Sequence, residues 1–311
     1  MTEYPRLVAI ETTNRCNAKC AFCPNNSLAR ERRVMSAELF EKIVDDCTRF
    51  PLPAVEPFLQ GEPFVDPHIF ERLSYINEKL PNTALRLYSN GAALTPAKAD
   101  ELRKLKVSKL YISLNTINPT RYEKIVGLPF EKTMENLRYL ATANEKGRVA
   151  PEIVVRITLV DDIEKSEIAE FKRLCAELGV KPMTVGLFNY KGDIHSDLPV
   201  PPYPCEHINR LDILSNGETT LCCMDQEGEY GFGSVVNDSV LDVFNNRKAT
   251  LVRTMHRTGK RLQFEPCDRC NLFWPSLSNL SFKWKIRHGF DLAMYFVKYR
   301  PLKAKTHVFT E

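Results

Sequence analysis

Between residue 7 and about residue 188, short apolar segments alternate with segments of helical periodicity, and this alternation constrains the fold more than any other feature. The segments rich in β-branched and aromatic residues are predicted strands. They are Leu7–Thr12, Val55–Gln60, Ala84–Ser89, Lys109–Leu114, Ile153–Leu159 and Met183–Phe188. Six strand–helix repeats predict an α/β fold with a parallel sheet, which right-handed crossovers would curl into a partial (βα)6 barrel. Functional groups are then expected at the carboxyl ends of the strands.

The intervening helices have recognisable ends. Ser36 is a predicted N-cap, and a helix starting near residue 166 is expected to stop at Gly179. Three further starts share a capping side chain followed by a proline, which suits the first helical turn. They are Asp66-Pro67, Thr95-Pro96 and Asn118-Pro119.

The character of the sequence changes near residue 191. Residues 191–204 are polar and rich in proline, so they are interpreted as a linker. This divides the chain into a barrel unit of residues 1–190 and a small cysteine-rich module of residues 205–311. A chain of 311 residues is long enough for one large core and such a module.

The second module contains short predicted strands at Asp212–Leu214 and Thr219–Cys222. It ends in a basic, aromatic-rich tail from Phe282 to Lys305. We expect this tail to form an amphipathic helix that docks on the barrel, although a helix lying on a membrane surface would have the same pattern.

Charge and composition exclude some classes of function. The chain has 43 Lys and Arg against 39 Asp and Glu, and it lacks a basic block interleaved with aromatic residues, so no nucleic-acid partner is expected. There is no apolar run of about eighteen residues that would predict a membrane span, and the first residues do not resemble a signal peptide. Ten clustered cysteines indicate metal binding rather than disulfides, and therefore a cytoplasmic protein.

Three cysteines, Cys16, Cys20 and Cys23, lie within eight residues just after the first predicted strand. This first cysteine motif could bind one face of an iron–sulfur cluster, but three thiolates leave one iron of a 4Fe–4S cluster without a protein ligand. An open metal position is typical of a site that binds a substrate or cosubstrate. A zinc site, or three unrelated thiols, is the alternative interpretation.

The pattern C-x3-C-x-aromatic-C after the first strand of a βα barrel resembles the radical S-adenosylmethionine (SAM) superfamily. The resemblance implies that the first cysteine motif binds a 4Fe–4S cluster, that SAM occupies its fourth iron, and that Phe22 lies against the adenine. It further implies that an electron cleaves SAM to methionine and a 5′-deoxyadenosyl radical, which abstracts hydrogen from an unreactive C–H bond. A reductase such as flavodoxin or ferredoxin would be the partner that supplies the electron.

Further residues match the same family. Gln60-Gly61-Glu62 resembles its Gly-Gly-Glu motif, whose backbone carbonyls hold the ammonium group of SAM, with Gln60 in place of the first glycine. The other residues that the resemblance assigns to the ribose and carboxylate of SAM are Ser89, Asn90, Ser113, Asn115 and Arg156. Taken alone, residues 89–91 could be an ordinary turn, and Arg156 could form a salt bridge within the barrel.

Four later cysteines, Cys205, Cys222, Cys267 and Cys270, resemble the SPASM/Twitch extension of radical SAM enzymes. Their spacing is Cys-x11-Gly-x4-Cys followed by Cys-x2-Cys. Because no cysteine follows Cys270, the resemblance implies a single auxiliary 4Fe–4S cluster, closed by four thiolates and suited to electron transfer. A structural zinc ion held by these auxiliary cysteines is the alternative.

Three remaining cysteines have other interpretations. Cys223 could replace Cys222 as a ligand, could donate a hydrogen atom to a substrate radical, or could be an inert buried thiol. Cys47 and Cys175 lie on the apolar faces of predicted helices and are expected in the core.

Four functions are compatible with these features. The leading hypothesis is oxidation of a secondary alcohol on a sugar or aminocyclitol, with the auxiliary cluster as electron acceptor. It follows from the resemblance of the single auxiliary cysteine set to the dehydrogenase of aminocyclitol antibiotic biosynthesis. The alternatives are a redox-neutral epimerase that uses Cys223, a ribosomal-peptide-modifying enzyme, and a non-enzymatic zinc scaffold or electron carrier.

The substrate cannot be named from the sequence. Only fifteen residues precede Cys16, fewer than a peptide-recognition domain needs, and this disfavours the peptide-modifying hypothesis. The candidate pocket residues are Glu11, Glu62, Tyr88 and Arg156.

Overall fold

The computed structural model describes residues 3–144, 151–159, 163–195 and 199–272, together with the single residue 289. Its strands are β1 (Leu7–Ile10), β2 (Ala54–Glu56), β3 (Ala84–Ser89), β4 (Lys109–Ser113), β5 (Glu152–Leu159), β6 (Lys181–Gly186), β7 (Leu211–Ile213) and β8 (Thr219–Thr220). They form one sheet in the order β6-β5-β4-β3-β2-β1-β7-β8. The first six strands pair in parallel, which confirms the predicted α/β fold.

Helices separate the parallel strands, and two more follow β8. They are α1 (Ala37–Cys47), α2 (Ile69–Lys79), α3 (Pro96–Leu102), α4 (Pro119–Val126), α5 (Phe130–Asn144), α6 (Lys165–Glu177), α7 (Val240–Asn245) and α8 (Arg247–Arg257). The largest core joins one face of the strands to these helices, and Cys47 and Cys175 belong to it as predicted.

The opposite strand face carries a different set of side chains. The register places Glu56, Tyr88, Tyr111 and Arg156 on one face, because β2, β3, β4 and β5 pair with their side chains in phase. A smaller cluster that includes Tyr111 and the thiols of Cys222, Cys223 and Cys270 packs on this inner face. The inner face is therefore where the candidate site lies.

Most predicted boundaries are close to the observed ones. Ser36, Thr95 and Asn118 cap their helices as predicted, since each side chain accepts a hydrogen bond from the backbone N–H three residues later. The predicted cap at Asp66 is wrong, because α2 begins at Ile69 and the Asp66 carboxylate instead accepts from the N–H of His68.

Strand β2 is shorter than predicted. It ends at Glu56, and Pro57 follows, whose missing N–H cannot continue the hydrogen-bonded ladder. Gln60 therefore lies in the loop after the strand rather than in the strand itself. The predicted contact region at the carboxyl edge of the sheet is preserved, but it is reached through a loop.

The second module begins by extending the barrel sheet. Strand β7 pairs in parallel with β1, with Val8 opposite Leu211 and Ile10 opposite Ile213. Helices α5, α7 and α8 were not predicted, although Ser239 and Asn246 cap the last two with their side chains. The predicted tail at 282–305 lies outside the described residues, apart from residue 289. None of the described helices combines the length and apolar character that a membrane crossing requires.

Candidate functional site

The first cysteine motif lies in the loop after β1, and backbone hydrogen bonds hold this loop against the end of α4. The N–H of Lys19 donates to the carbonyl of Val126 at 3.0 Å, and that of Ala21 donates to Ile125 at 2.8 Å. Within the loop, the N–H of Cys23 donates to the carbonyl of Cys20 at 3.0 Å. The loop is therefore fixed by its backbone, and its thiols remain available for other partners.

The three thiols lie close enough to influence one another electrostatically. Burial, with a smaller contribution from the neighbouring thiols, raises the pKa of Cys16 to about 11 and that of Cys20 to about 12. Burial also raises the pKa of Cys23, while the Arg32 guanidinium opposes that rise. A bound metal reverses this preference, because a coordinating thiol is deprotonated. Three convergent soft donors therefore fit an iron–sulfur group.

Gly61 brings the loop after β2 against the cysteine loop. A Cβ atom at this position would lie 2.2 Å from the carbonyl oxygen of Thr13 and 2.7 Å from that of Arg15. The next residue donates its N–H to the same Arg15 carbonyl at 2.9 Å. Only glycine permits this approach, so the residue is required by packing against the cysteine loop.

Gln60 connects the same region to Cys223, the neighbour of Cys222 in the sequence. Its carbonyl accepts a hydrogen bond from the Asn25 side chain at 3.1 Å, and its side-chain amide donates to the Cys223 carbonyl at 3.2 Å. The Asn25 amide uses one of the two lone pairs of this carbonyl, and the other can accept a further hydrogen bond. That the carbonyl holds the ammonium group of SAM stays a prediction. The bond to Cys223 links the loop after β2 to the residue that follows Cys222.

The Glu62 carboxylate has an internal role. It accepts hydrogen bonds from the Phe64 N–H at 3.1 Å, the Ser89 hydroxyl at 2.9 Å and the Asn90 N–H at 2.7 Å. Burial raises its pKa to about 7, and these three donors oppose the rise. Glu62 is thus a positioning residue that joins the loop after β2 to the end of β3, and its oxygens are occupied within the protein.

Asn90 contacts both Glu62 and the cysteine loop. Its amide donates to the Asn17 side chain at 2.8 Å and lies 4.0 Å from the Cys16 sulfur. Asn115 has a left-handed backbone, with φ of 66°, and its side chain accepts from the Thr158 hydroxyl at 3.0 Å. Ser113 pairs with Arg156 across β4 and β5. The structure thus brings Asn90 to the cysteine loop and Ser89 to Glu62, and it places Ser113 and Asn115 at the next strand end.

Arg156 lies on the inner face with an unusual environment. Its guanidinium carbon is 5.3 Å from the centre of the Tyr88 ring, and Tyr88 stacks on Tyr111 at 4.4 Å and on Phe58 at 5.2 Å. The buried Nε of Arg156 has no hydrogen-bond partner, and no carboxylate of the described residues forms a salt bridge with it. An unpaired guanidinium nitrogen suits an anionic group such as the SAM carboxylate. Phe22 is half-buried beside Cys23 in the sequence, and its contact with adenine stays a prediction.

The auxiliary cysteines come from separate segments. Cys205 precedes β7, Cys222 follows β8, and Cys267 and Cys270 lie in the last described turns. Burial, followed by the nearby thiols of Cys223, Cys270 and Cys267, raises the pKa of Cys222 well above its ordinary value. All are free thiols. Four convergent thiols fit a closed iron–sulfur cluster, whereas among the described residues no group of three or more His, Cys, Asp or Glu side chains could hold a single metal ion.

Cys223 lies beside a polar network on the inner face. Its sulfur is 3.7 Å from Nδ1 of His207, and burial, followed by Arg210 and Arg261, lowers the pKa of that histidine to about 3. Arg210 forms ion pairs with Asp212 and with Glu56, the latter at 3.4 Å. Sequence reasoning missed this network. The charged residues inside the apolar strands β2 and β7 were the available signal, and only the register shows that they meet.

Glu11 is also engaged within the protein. Its carboxylate pairs with Arg30 at 2.8 Å and accepts from both the N–H and the hydroxyl of Ser215, at 3.0 and 2.9 Å. It therefore ties β1 to the end of the cysteine loop and to the turn after β7, and it does not face an open pocket.

Comparison with known families agrees with this geometry. The model of the radical SAM superfamily matches residues 10–175, more than half of the chain, and the chain therefore belongs to this superfamily. An iron–sulfur cluster-binding domain, SPASM, matches residues 205–271. The protein is thus a radical SAM enzyme that binds SAM and a 4Fe–4S cluster, with a further iron–sulfur cluster in its second region.

Curated relatives are varied in activity. The chain is 30% identical over 183 residues to the tungsten-containing aldehyde ferredoxin oxidoreductase cofactor-modifying protein of Pyrococcus furiosus, covering 57% of this chain and 49% of that one. It is 27% identical over 182 residues to the AdoMet-dependent heme synthase of Methanosarcina barkeri, covering 58% and 49%. A GTP 3′,8-cyclase of Clostridium perfringens is 22% identical over 260 residues, covering 78% and 76%. The chain thus spans about half the length of the first two relatives.

Solved structures share the fold. BtrN in complex with AdoMet and 2-DOIA superposes with a TM-score of 0.63 at 17% identity, covering 88% of this chain and 95% of that one. SuiB of Streptococcus suis, bound to its precursor peptide SuiA, gives a TM-score of 0.67 at 15% identity, covering 86% and 70%. At these identities the likeness concerns the fold.

Proposed function

We propose that the chain oxidises a secondary alcohol of a sugar or aminocyclitol to a ketone. The observation that carries this proposal is the position of the auxiliary thiols. Cys270 packs with Tyr111 and Met183 on the inner face, together with Cys222 and Cys223. An electron acceptor held there adjoins the space lined by Tyr88 and Arg156, where a substrate radical would form.

Different residues of the site would bind SAM, contact the substrate and hold the electron acceptor. Phe22, Gln60, Gly61, Glu62, Ser89, Asn90, Ser113, Asn115 and Arg156 would bind or position SAM. The rings of Phe58, Tyr88 and Tyr111 stack on one another and would present an apolar surface to the substrate. When bound, SAM and its cluster supply a carbon-centred radical, and the auxiliary cluster supplies a one-electron acceptor. The alcohol loses one hydrogen atom, one proton and one electron in total, which balances a two-electron oxidation to the ketone.

A specific contact favours a second candidate, a redox-neutral epimerase. The Cys223 thiol is partly exposed on the inner face and lies 3.7 Å from the neutral His207 ring. Burial raises the pKa of this thiol, so it keeps its hydrogen atom at neutral pH. A thiol that holds its hydrogen beside the substrate space could return a hydrogen atom to a substrate radical. Peptide modification is the third candidate, since SPASM-containing SuiB is solved with a precursor peptide.

The cellular setting is part of the proposal. Ten thiols that must stay reduced suit the cytoplasm, and a flavodoxin or ferredoxin type of reductase would supply electrons. We also propose that the chain divides into a barrel unit at 1–190, a linker at 191–204 and an auxiliary module at 205–311. The pairing of β7 with β1 would then join the module to the barrel sheet.

Anaerobic turnover with a panel of sugars and cyclitols tests the function. The reconstituted chain should release 5′-deoxyadenosine together with a product two hydrogen atoms lighter than its substrate. A product of unchanged mass that gains deuterium from heavy water would instead establish the epimerase. Release of 5′-deoxyadenosine without any product across the panel would contradict the choice of substrate class.

The Cys267→Ala variant tests the role of the auxiliary cluster. It should retain SAM cleavage and about four rather than eight iron atoms per chain, while ketone formation falls by more than about 100-fold. Cys175→Ala is the matched control, because this buried thiol lies in the helix-facing core and should change neither value. Ketone formation at the parent rate by Cys267→Ala would overturn the assignment of the acceptor.

A further inference from the structure

Arg261 is a fully buried cation beside the auxiliary cysteines. It begins the short 3-10 turn Arg261–Gln263, between α8 and Cys267, and only 1% of its surface is exposed. Its guanidinium donates to the carbonyls of Tyr203 at 3.2 Å, Cys270 at 2.8 Å and Leu272 at 2.9 Å. Its Nε is buried without a hydrogen-bond partner.

The other buried arginines show what is unusual here. Arg72 pairs with Asp66 at 3.0 Å, and Arg253 pairs with Glu3 at 2.9 Å. Arg261 has only carbonyl partners, and no acidic side chain of the described residues forms an ion pair with it. A buried charge is costly unless an opposite charge compensates it. A compensating anion is therefore expected close to this guanidinium.

The neighbouring groups identify where that anion lies. The Arg261 guanidinium donates to the backbone carbonyl of Cys270 at 2.8 Å, and its turn ends four residues before Cys267, so its charge lies beside these two cysteines. The imidazoles of His207 and His256 supply no negative charge, since a histidine ring is either neutral or cationic. Among the described groups close to Arg261, the thiols are those that become anionic when they bind iron.

We propose that Arg261 is the counter-cation of the auxiliary cluster and raises its reduction potential. A cluster bound by four thiolates is anionic and becomes more so when reduced, so a buried cation stabilises the reduced form more strongly. Arg261 thus acts on the electron acceptor through its charge and not by contact with the substrate. This inference assumes the auxiliary cluster, and its link to alcohol oxidation rests on the proposed function.

A potentiometric titration tests the inference without turnover. The full chain carrying Cys16→Ala, Cys20→Ala and Cys23→Ala would hold the auxiliary cluster alone, and electron paramagnetic resonance would follow its one-electron reduction. In this background Arg261→Gln should lower the equilibrium constant for reduction at least tenfold, which is a fall of at least about 59 mV in midpoint potential. Arg261→Lys keeps the charge, so its potential should stay closer to that of the parent than to that of Arg261→Gln.

Arg269→Gln is the matched control. Arg269 precedes Cys270 but is exposed and paired with Glu265 at 2.9 Å, so the same loss of charge should shift the potential far less. An unchanged potential in Arg261→Gln, with four irons still bound, would overturn the proposal. If Arg261→Gln binds no cluster, the potential of Arg261→Lys decides. A fall of about 59 mV below the parent overturns the proposal, and a potential near that of the parent supports it. None of these results depends on whether the substrate is an alcohol.

Discussion

The two cysteine regions are built in opposite ways. The first motif is one loop whose backbone bonds to α4 through Lys19 and Ala21, and its three thiols converge from eight consecutive residues. The auxiliary cysteines come from three segments spread between residues 205 and 270, and a buried cation, Arg261, donates to the backbone carbonyl of Cys270. A local loop can leave one metal position open for a cosubstrate. A site closed by distant segments depends on the whole fold and suits a permanent electron carrier.

The largest effect that separates the two regions is expected from Cys20→Ala. Loss of one of three ligands should lower reductive SAM cleavage by more than about 100-fold, because a second iron of the cluster would then have no protein ligand. Release of 5′-deoxyadenosine under dithionite measures this, and the auxiliary cluster should keep about four irons. Substantial SAM cleavage by this variant would show that the open site lies elsewhere.

The next effect is expected from Gly61→Ala. The added Cβ would lie 2.2 Å from the Thr13 carbonyl, so the loop must move away from the cysteine motif. Overpacking of this kind costs about 1–3 kcal/mol, measurable by urea unfolding, and SAM affinity should fall with it. Gly179→Ala is the control, since its Cβ would meet nothing within 4 Å, and any loss of stability there should leave SAM affinity unchanged.

An effect of similar size, but dependent on pH, is expected from Glu62→Gln. The pKa of Glu62 rises from 4.5 to about 7 in the folded chain, so the folded state binds this proton more tightly than the unfolded state. The stability that this group contributes is therefore present below about pH 4.5 and is lost as the pH rises through about 7, by an amount on the order of 1–3 kcal/mol.

Urea unfolding of the parent and of Glu62→Gln at about pH 5 and about pH 8 measures this difference. Glutamine does not titrate, so the stability of the parent relative to the variant should decrease from the lower to the higher pH. An increase instead would mean that the three donors to Glu62, and not its burial, dominate the pKa of this carboxyl.

The contrast also explains how far the sequence was informative. Strand β3 and the caps at Ser36, Thr95 and Asn118 depend on neighbouring residues, and the local pattern predicted them. The early end of β2 could have been predicted from Pro57 alone. The pairing of β7 with β1 could not, because it joins segments about 200 residues apart.

The same distinction holds within the site. The spacing of the first cysteine motif identified its residues, whereas the internal role of Glu62 follows from three donors, one in the loop after β2 and two at the end of β3. The ion pairs of Arg210 and the unpaired charge of Arg261 appear only when strand register and burial are known. Contacts between charged residues that are distant in the sequence therefore could not be predicted from local patterns.

The most direct test of the central claim compares how SAM affects the two cluster sites. Electron paramagnetic resonance spectra of dithionite-reduced Cys267→Ala and Cys20→Ala would be recorded with and without SAM. SAM should change the spectrum of Cys267→Ala, in which the first cysteine motif is intact, and leave that of Cys20→Ala unchanged. A response to SAM in Cys20→Ala, or its absence in Cys267→Ala, would contradict an open site at the first cysteine motif.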